Sequence, residues 1–277
     1  MGGDSELLAL AVEAAVAAGR LTLEYYQTHL EVDEKEDRSP LTAADRAAHC
    51  EIVTRLREGS GGIPIISEEG DHGDYRTRSG WSELWLVDPL DGTKEFLRRT
   101  GDFTVNIALV RSEQPALGVV YVPADDILYT GVVGDGAEMV VDAGSASGAG
   151  QRLALPSRPG TEGAVTVTAS RSHNTPPTDR FIELVRAEYG VVEVLRVGSA
   201  VKICRVAEGA ADFYPRFGPT MEWDTAAGDA VLRAAGGTML SATDGGPLRY
   251  NKADLHNPDF VCVAPGRELP TGTWAAG

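Results

Sequence analysis

The six residues Asp88-Pro89-Leu90-Asp91-Gly92-Thr93, directly after the apolar run Leu84-Trp85-Leu86-Val87, constrain this chain more than any other stretch. A short apolar run bounded by turn residues reads as a buried strand, and Pro89 has no N–H with which to extend a ladder. The spacing therefore predicts a strand over 84–87 that stops at the motif. Gly92 permits a sharp turn, and Thr93 is suited to open a helix over 94–99. Carboxylates at the carboxyl end of a strand, facing free backbone N–H groups at a helix start, are equipped to hold hard cations and a phosphate together.

The spacing also separates two chemistries. Phosphatases that pass through an aspartyl-phosphate set one residue between the acids of Asp-x-Asp-Gly-Thr, whereas here Pro89 and Leu90 intervene. Attack by a carboxylate gives way to a reading in which both acids bind metal and water is the nucleophile. The competing account is a plain surface turn, since every residue type in the motif favours turns.

At 277 residues the chain is long enough for one large domain or two modest ones sharing a cleft. Its 25 Lys and Arg stand against 41 Asp and Glu, a net charge of −16. Such a surface repels polyanions, so nucleic acid and anionic membranes are disfavoured as partners. A small phosphorylated substrate remains compatible where metals and a few cations reverse the field inside a cleft. The three cysteines, Cys50, Cys204 and Cys262, are widely spaced and form no C-x-x-C, which argues against disulfides and structural zinc and suits a reducing cytoplasm. The start Met-Gly-Gly-Asp-Ser-Glu has no basic and apolar leader, so no signal peptide is expected. No apolar run reaches the length of a membrane span; peripheral membrane association is left open.

Apolar periodicity predicts an amphipathic helix over 5–29, with Leu8, Val12, Ala15, Val16, Gly19 and Leu23 on its inner side. A charged loop over 31–38 leads through Ser39-Pro40-Leu41 to a helix over 43–57 with Thr42 as N-cap. A strand over 63–66 closes on Ser67-Glu68-Glu69, and 71–78 reads as a polar loop. Residues 105–110, 116–122 and 127–133 read as consecutive antiparallel strands. The Gly/Ser-rich stretch 142–151 marks the expected boundary between an N-terminal α+β domain, 1–150, and a C-terminal α/β domain, 151–277. Beyond it, strands over 164–169, 191–196, 211–215, 238–240 and 260–263 alternate with helices over 177–188, 199–208 and 224–235, an α/β pattern.

Further acids join the lead motif. Glu68 ends a strand as Asp88 does, so parallel neighbours would bring both to one sheet edge. Asp224, within Glu222-Trp223-Asp224-Thr225-Ala226-Ala227-Gly228, stands at a helix start, and Asp45 lies one turn into the second helix. Each has a local explanation: Asp224 as N-cap, Asp45 as capping-box partner of Thr42, Glu69 as a solvated neighbour of Glu68. Their coincidence at strand ends and helix starts favours a magnesium site, in which carboxylates, water and substrate oxygens share an octahedral shell. Glu68, Asp88, Asp91 and Asp224 supply charge for at least two ions.

Ser67-Glu68-Glu69, then Trp85-Leu86-Val87-Asp88-Pro89-Leu90-Asp91-Gly92-Thr93-Lys94-Glu95-Phe96, then Trp223-Asp224-Thr225-Ala226-Ala227-Gly228 resemble, in order and separation, the signatures of the inositol monophosphatase superfamily. The resemblance covers nearly the whole chain. It implies an α/β (α+β mixed) fold, a two-domain layered αβαβα sandwich, and a magnesium-dependent, lithium-sensitive phosphatase. Lys94-Glu95-Phe96, Ser170-Arg171-Ser172-His173, Gly198-Ser199-Ala200-Val201-Lys202 and Tyr214-Pro215-Arg216-Phe217-Gly218-Pro219-Thr220 resemble its CysQ-type 3′(2′),5′-bisphosphate nucleotidase branch. These segments bring a guanidinium, an ammonium, hydroxyls and an imidazole into a very acidic protein, as a second substrate phosphate would require. One departure is Glu138, in Gly134-Asp135-Gly136-Ala137-Glu138, where such relatives often carry an aromatic residue.

The resemblance further implies roles. One Mg2+ is held by Glu68, Asp88 and the Leu90 carbonyl, a second by Asp88, Asp91 and Asp224. A third, weaker ion lies near Glu68, with Asp45 acting through water. The scissile phosphate rests on the Gly92 and Thr93 amides, and a water whose proton passes through Thr93 to Asp45 or Glu68 attacks in line, without a phosphoenzyme. Ser199, Lys202 and Arg216 hold the 5′-phosphate or ribose, His173 lies near the nucleoside, and Asp224 also meets the substrate. The implied reaction converts 3′-phosphoadenosine 5′-phosphate to AMP and phosphate, clearing a by-product of sulfate assimilation. Two rivals stand beside it: a phosphatase of inositol monophosphate or a related sugar phosphate, and a non-catalytic metal- or nucleotide-binding regulator. The regulator predicts a missing ligand or a missing Thr after Asp-Gly, and neither is missing. Monomer and homodimer are both compatible with the sequence.

Overall fold

Side chains of a strand alternate between its faces, and in the first half of this chain both faces are apolar, so both must be covered. The computed structural model describes residues 3–27, 43–144, 150–157, 164–169, 175–272 and 274. Helices α1 (Asp4–Gln27) and α2 (Ala43–Gly59) precede a seven-stranded sheet in chain order: β1 (Ile65–Ser67), β2 (Glu83–Asp91), β3 (Thr104–Arg111), β4 (Gln114–Val122), β5 (Ile127–Val132), β6 (Gly136–Val141) and β7 (Gln151–Ala154). Short helices α3 (Tyr75–Arg78) and α4 (Thr93–Leu97) flank β2. β1 is parallel to β2, and the later neighbours are antiparallel. The remaining elements are β8 (Ala164–Ala169), α5 (Pro176–Tyr189), β9 (Val191–Arg196), α6 (Val201–Ala207), β10 (Phe213–Arg216), α7 (Glu222–Ala234), β11 (Thr238–Ser241) and β12 (Phe260–Val263). They form a five-stranded sheet in the order β11-β12-β10-β8-β9, parallel where β8 meets β9 and β10 and antiparallel around β12.

Alternation assigns the layers. Trp85 and Val87 of β2, with Val105, Ile107 and Leu109 of β3, pack against Leu7, Ala11, Ala14, Ala15 and Ala18 of α1 and Ile52 and Leu56 of α2. Leu84 and Leu86, with Ala108 and Val110, face the other way and join Ala226, Ala227 and Val231 of α7, Ile203 of α6, and Tyr214, Phe260 and Cys262 of the second sheet. α5 covers that sheet's far side through Phe181, Ile182 and Val185. The order helix, sheet, helix, sheet, helix is the layered αβαβα sandwich of a mixed α/β protein. α7 lies directly on the first sheet: a Cβ on Gly118 would stand 2.3 Å from the Ala227 carbonyl oxygen, and one on Gly131 2.7 Å from Val231 Cα.

Several elements differ from expectation. β2 does not stop at Val87 but runs to Asp91, with a register shift between Asp88 and Asp91 that lets Pro89 sit in the strand without a ladder bond. α1 turns Leu7, Ala11, Ala14 and Ala18 inward beside the expected Ala15 and Gly19, while Leu8, Val12, Val16 and Leu23 lie at the margin: small residues let the helix approach the sheet. α3 occupies part of the expected polar loop, capped by Asp74, whose carboxylate accepts the Arg76 N–H at 3.0 Å. β6 and β7 were not read as strands. β7 follows the Gly/Ser-rich stretch yet pairs with β6, so the change of sheet falls between Ala154 and Ala164 and not at 150. Glu138 on β6 forms an ion pair with Arg152 of β7, which explains a charge at that position. The 31–38 loop, the Thr42 cap and Ser170-Arg171-Ser172-His173 lie outside the described residues. Among the described residues no helix is long and apolar enough to cross a membrane.

Candidate active site

Parallel pairing sets the first two acids side by side. Ser67 is in register with Val87, and the Glu68 N–H donates to the Val87 carbonyl at 3.1 Å, so Glu68 comes level with Asp88. The two side chains are hydrogen-bonded carboxyl to carboxyl. Asp88 shares the face of Leu84 and Leu86, towards α7, and is 1% exposed. Its Oδ1 accepts the Leu90 N–H at 3.0 Å, a turn that closes over Pro89. The Leu90 side chain packs with Ala44, Phe96 and Phe103. At the strand's last residue, Asp91 Oδ2 accepts the Ala200 N–H at 2.6 Å. Asp224 is the third residue of α7, where its Oδ2 accepts the Met221 N–H at 2.8 Å; it is not the N-cap. Likewise Gly92, at φ 90°, caps α4, and Thr93 is the first helical residue. Asp45 is buried in the first turn of α2.

The charges of neighbouring acids act on Glu68, Asp88 and Asp224. Burial pushes Asp88 well above the ordinary carboxylate range, and the charges of Glu68, Asp91 and Asp224 push it further. Burial raises Asp224 to about 7, with Asp91 adding to the effect. Glu68 extends to the surface, yet desolvation of its carboxyl, with Asp91, Glu69 and Asp45 nearby, raises it to about 7 as well. Asp91 is raised by burial despite the opposing pull of Lys202 and the Ala200 N–H. Glu69 is less exposed than Glu68 and is raised by burial and by Asp45, so it is more than a solvated neighbour.

The donor set fits a hard divalent cation. It is all oxygen, it is mutually repelling, and Asp88, Asp91 and Asp224 each have one oxygen fixed by a backbone N–H. Among the described residues no three acidic, His or Cys side chains stand together at ligand spacing.

A cavity of about 350 Å3 is lined by Asp91, Gly92 and Asp224 together with Lys94, Glu95, Ser199, Lys202 and Arg216. Lys202 is 6% exposed; its ammonium donates to the Ser199 carbonyl at 2.6 Å and lies 5.5 Å from the Tyr214 ring centroid. Burial lowers its pKa to about 8. Arg216 Nη2 donates to the Pro219 carbonyl at 3.1 Å, while its Nε has no partner among the described residues. Ser199 holds a left-handed backbone, φ 42°, that aims the next N–H at Asp91.

Two nearby features escaped the sequence reading. Asn106 is in register with Asp88 and Thr104 with Asp91, on the face towards α7; the Thr104 hydroxyl and both Asn106 amide atoms have no partner among the described residues. A polar residue at an inward position of 105–110 was the available signal. Asp102, which accepts the Gly198 N–H at 2.9 Å, ties the Ser199 turn to the loop after α4.

Residues 4–273 match the inositol monophosphatase family, and the chain belongs to that family of metal-dependent phosphatases. The 3′(2′),5′-bisphosphate nucleotidase CysQ of Escherichia coli O6:H1 is 42% identical over 232 residues, which is 83% of this chain and 88% of the relative. The crystal structure of CysQ from Bacteroides thetaiotaomicron superposes with a TM-score of 0.83 at 47% identity, covering 94% of this chain and 97% of that one. SuhB of Mycobacterium tuberculosis superposes with a TM-score of 0.69 at 25% identity, covering 95% and 92%.

Proposed function

We propose that this protein is a magnesium-dependent phosphomonoesterase that hydrolyses the 3′-phosphate of 3′-phosphoadenosine 5′-phosphate, giving AMP and phosphate, in the cytoplasm. The observation that carries the reading is one cavity whose lining brings Asp91 and Asp224 together with Lys202 and Arg216. A bisphosphate presents one phosphoryl group to the acid-bound metals and one to the basic side chains, whereas an inositol monophosphate leaves the basic side chains without an anion. The nucleotidase activity named for the CysQ relatives supports the same choice, and three free thiols suit a reducing compartment.

Glu68, Asp88, Asp91, Asp224 and the Leu90 carbonyl would hold two or three ions. Bound Mg2+ supplies charge neutralisation at the phosphoryl oxygens and acidifies water. The chain's own groups do the rest. The Gly92 and Thr93 N–H groups donate to the phosphate, and Thr93 Oγ1 receives a proton from the attacking water and relays it to Asp45 or Glu68. Arg216 clamps the second phosphate, with Lys202 and Ser199 lining the same cavity. His173 is assigned to the nucleoside on sequence resemblance alone.

The test is phosphate release by the purified protein with Mg2+, from 3′-phosphoadenosine 5′-phosphate and inositol 1-phosphate in parallel, with and without Li+. Preference for the bisphosphate, lost in Asp91→Asn, is the expected result. Preference for inositol 1-phosphate would overturn the role of the basic side chains, and release from neither would favour a binding protein.

A further inference from the structure

Glu68 and Asp224 reach the acid cluster from different layers, one from the end of β1 in the first sheet and the other from α7 between the sheets. His72 lies between the residues that precede them. Its Nε2 stands 3.1 Å from the Ser67 carbonyl oxygen, an acceptor, so this nitrogen carries the proton. Its ring centroid is 4.6 Å from that of Trp223, the planes inclined at 38°. Neither contact partner is loose. Ser67 is buried, its carbonyl also accepts the Gly70 N–H at 2.9 Å, and its hydroxyl lies 2.8 Å from His49 Nδ1. Trp223 is buried in the core between the sheets.

The segment carrying His72 is anchored a second time, again towards the start of α7. Arg78 donates to Asn251 Oδ1 at 3.0 Å and to the Lys252 carbonyl at 3.1 Å, and Asn251 Nδ2 returns a bond to the Arg78 carbonyl at 2.8 Å. The Asn251 and Lys252 N–H groups in turn donate to the carboxylate of Glu222, at 2.5 and 2.9 Å. The chain from Ser67 to Arg78 thus closes a ring onto Glu222 and Trp223, the two residues before Asp224.

We propose that His72 is a positioning residue that fixes the separation of Glu68 and Asp224 by stacking on Trp223 while bonding the Ser67 carbonyl, so that the acids meet divalent cations prearranged. The proposal rests on the metal-binding part of the function proposed above, and not on the choice of substrate. A group bonded directly to a metal-ligating side chain typically changes metal affinity by about 10–100-fold when removed, and His72 acts one residue further back at both ends.

The test is calorimetric titration of Mg2+ into the purified full-length protein, with no substrate present. His72→Ala is expected to weaken Mg2+ binding by about tenfold, the lower end of that range. His72→Phe, which keeps the ring and loses the donor, and His72→Gln, which keeps a donor and loses the ring, fall between it and the wild type. In assays with either phosphate ester that is turned over, the half-saturating Mg2+ concentration rises, while kcat at saturating Mg2+ stays within about threefold of wild type. Unchanged Mg2+ affinity in Phe, Gln and Ala variants would overturn the proposal. So would a kcat loss that saturating Mg2+ does not restore. Because calorimetry reads the cation alone, failure of the nucleotidase reading would show only in the substrate assay.

Discussion

Asp88 is the residue at which the cost of this site is most concentrated, since it is buried and the charges of Glu68, Asp91 and Asp224 all act against its ionisation. Asp88→Asn keeps the acceptor for the Leu90 N–H and removes one repelling charge. In chelator-treated protein its Tm is expected to equal or exceed that of wild type, while Mg2+-dependent phosphatase activity falls at least about a hundredfold, the scale of losing one preorganised electrostatic group. A lower Tm together with retained activity would contradict both halves of the argument. His49, which meets the Ser67 hydroxyl, gives a second test. Burial, then Arg57, lowers its pKa below 6.5. The unfolded chain therefore takes up the proton first, and this group's contribution to stability is lost as pH falls below 6.5 towards the folded value. In urea unfolding, the stability advantage of wild type over His49→Gln should shrink between about pH 8 and pH 5.5. An advantage constant with pH would refute the assignment. The acids themselves were legible because each ends a strand or begins a helix beside turn residues. His72, Asn106 and Thr104 were not, because their role depends on which strand or helix lies across from them.

At the scale of elements, α7 rests on β4 and β5 because Gly118 and Gly131 remove the side chains that would hold it off. Gly118→Ala places a methyl group 2.3 Å from the Ala227 carbonyl oxygen, a backbone atom that cannot swing aside. The expected loss is about 1–3 kcal/mol in denaturant unfolding, together with reduced activity, because Asp224 rides on the same helix. Gly246→Ala, whose new Cβ would meet its nearest neighbour at 3.5 Å, serves as the near-neutral control. Equal destabilisation by both would mean that helix-to-sheet contact is not the cause. The strands of this sheet were largely readable, since runs such as 105–110 and 116–122 are apolar except for Asn106 and Gly118. What failed was local. Pro89 reads as a stop but sits at a bulge, where a missing N–H costs no ladder bond. On α1, Ala15 and Gly19 lie inward as expected, but Leu8, Val12, Val16 and Leu23 do not, because large apolar residues outweigh alanine in a periodicity argument although alanine permits the closer approach. β6 and β7 were missed because Gly136, Glu138, Gln151 and Arg152 break the apolar signal at an exposed edge.

For the whole molecule, the sequence suggests two halves, and the structure joins them through one core. Ile66, Leu84, Leu86, Ala108 and Val110 of the first sheet share a cluster with Trp223, Ala226 and Val231 of α7 and with Tyr214, Phe260 and Cys262 of the second sheet. Polar links cross the same seam: Tyr129 of β5 donates to buried Glu208, which Arg205 also contacts at 2.9 Å, and Arg233 of α7 reaches Gln114 of β4 at 2.6 Å. Neither sheet buries its α7-facing side without the other, so apolar burial in each half depends on the whole. Tryptophan emission and far-UV circular dichroism should then report coincident transitions in guanidinium, with one midpoint. Fragments 1–157 and 164–277, produced separately, should show no cooperative unfolding, because the first loses the helix that covers Gly118 and Gly131 and the second loses the sheet beneath that helix. A fragment that unfolds cooperatively by itself would place the cooperative boundary between the sheets. Asp224 would then be carried by a unit able to move relative to Glu68, Asp88 and Asp91, whereas a single transition means that the four acids are held in register by the same core that folds the chain.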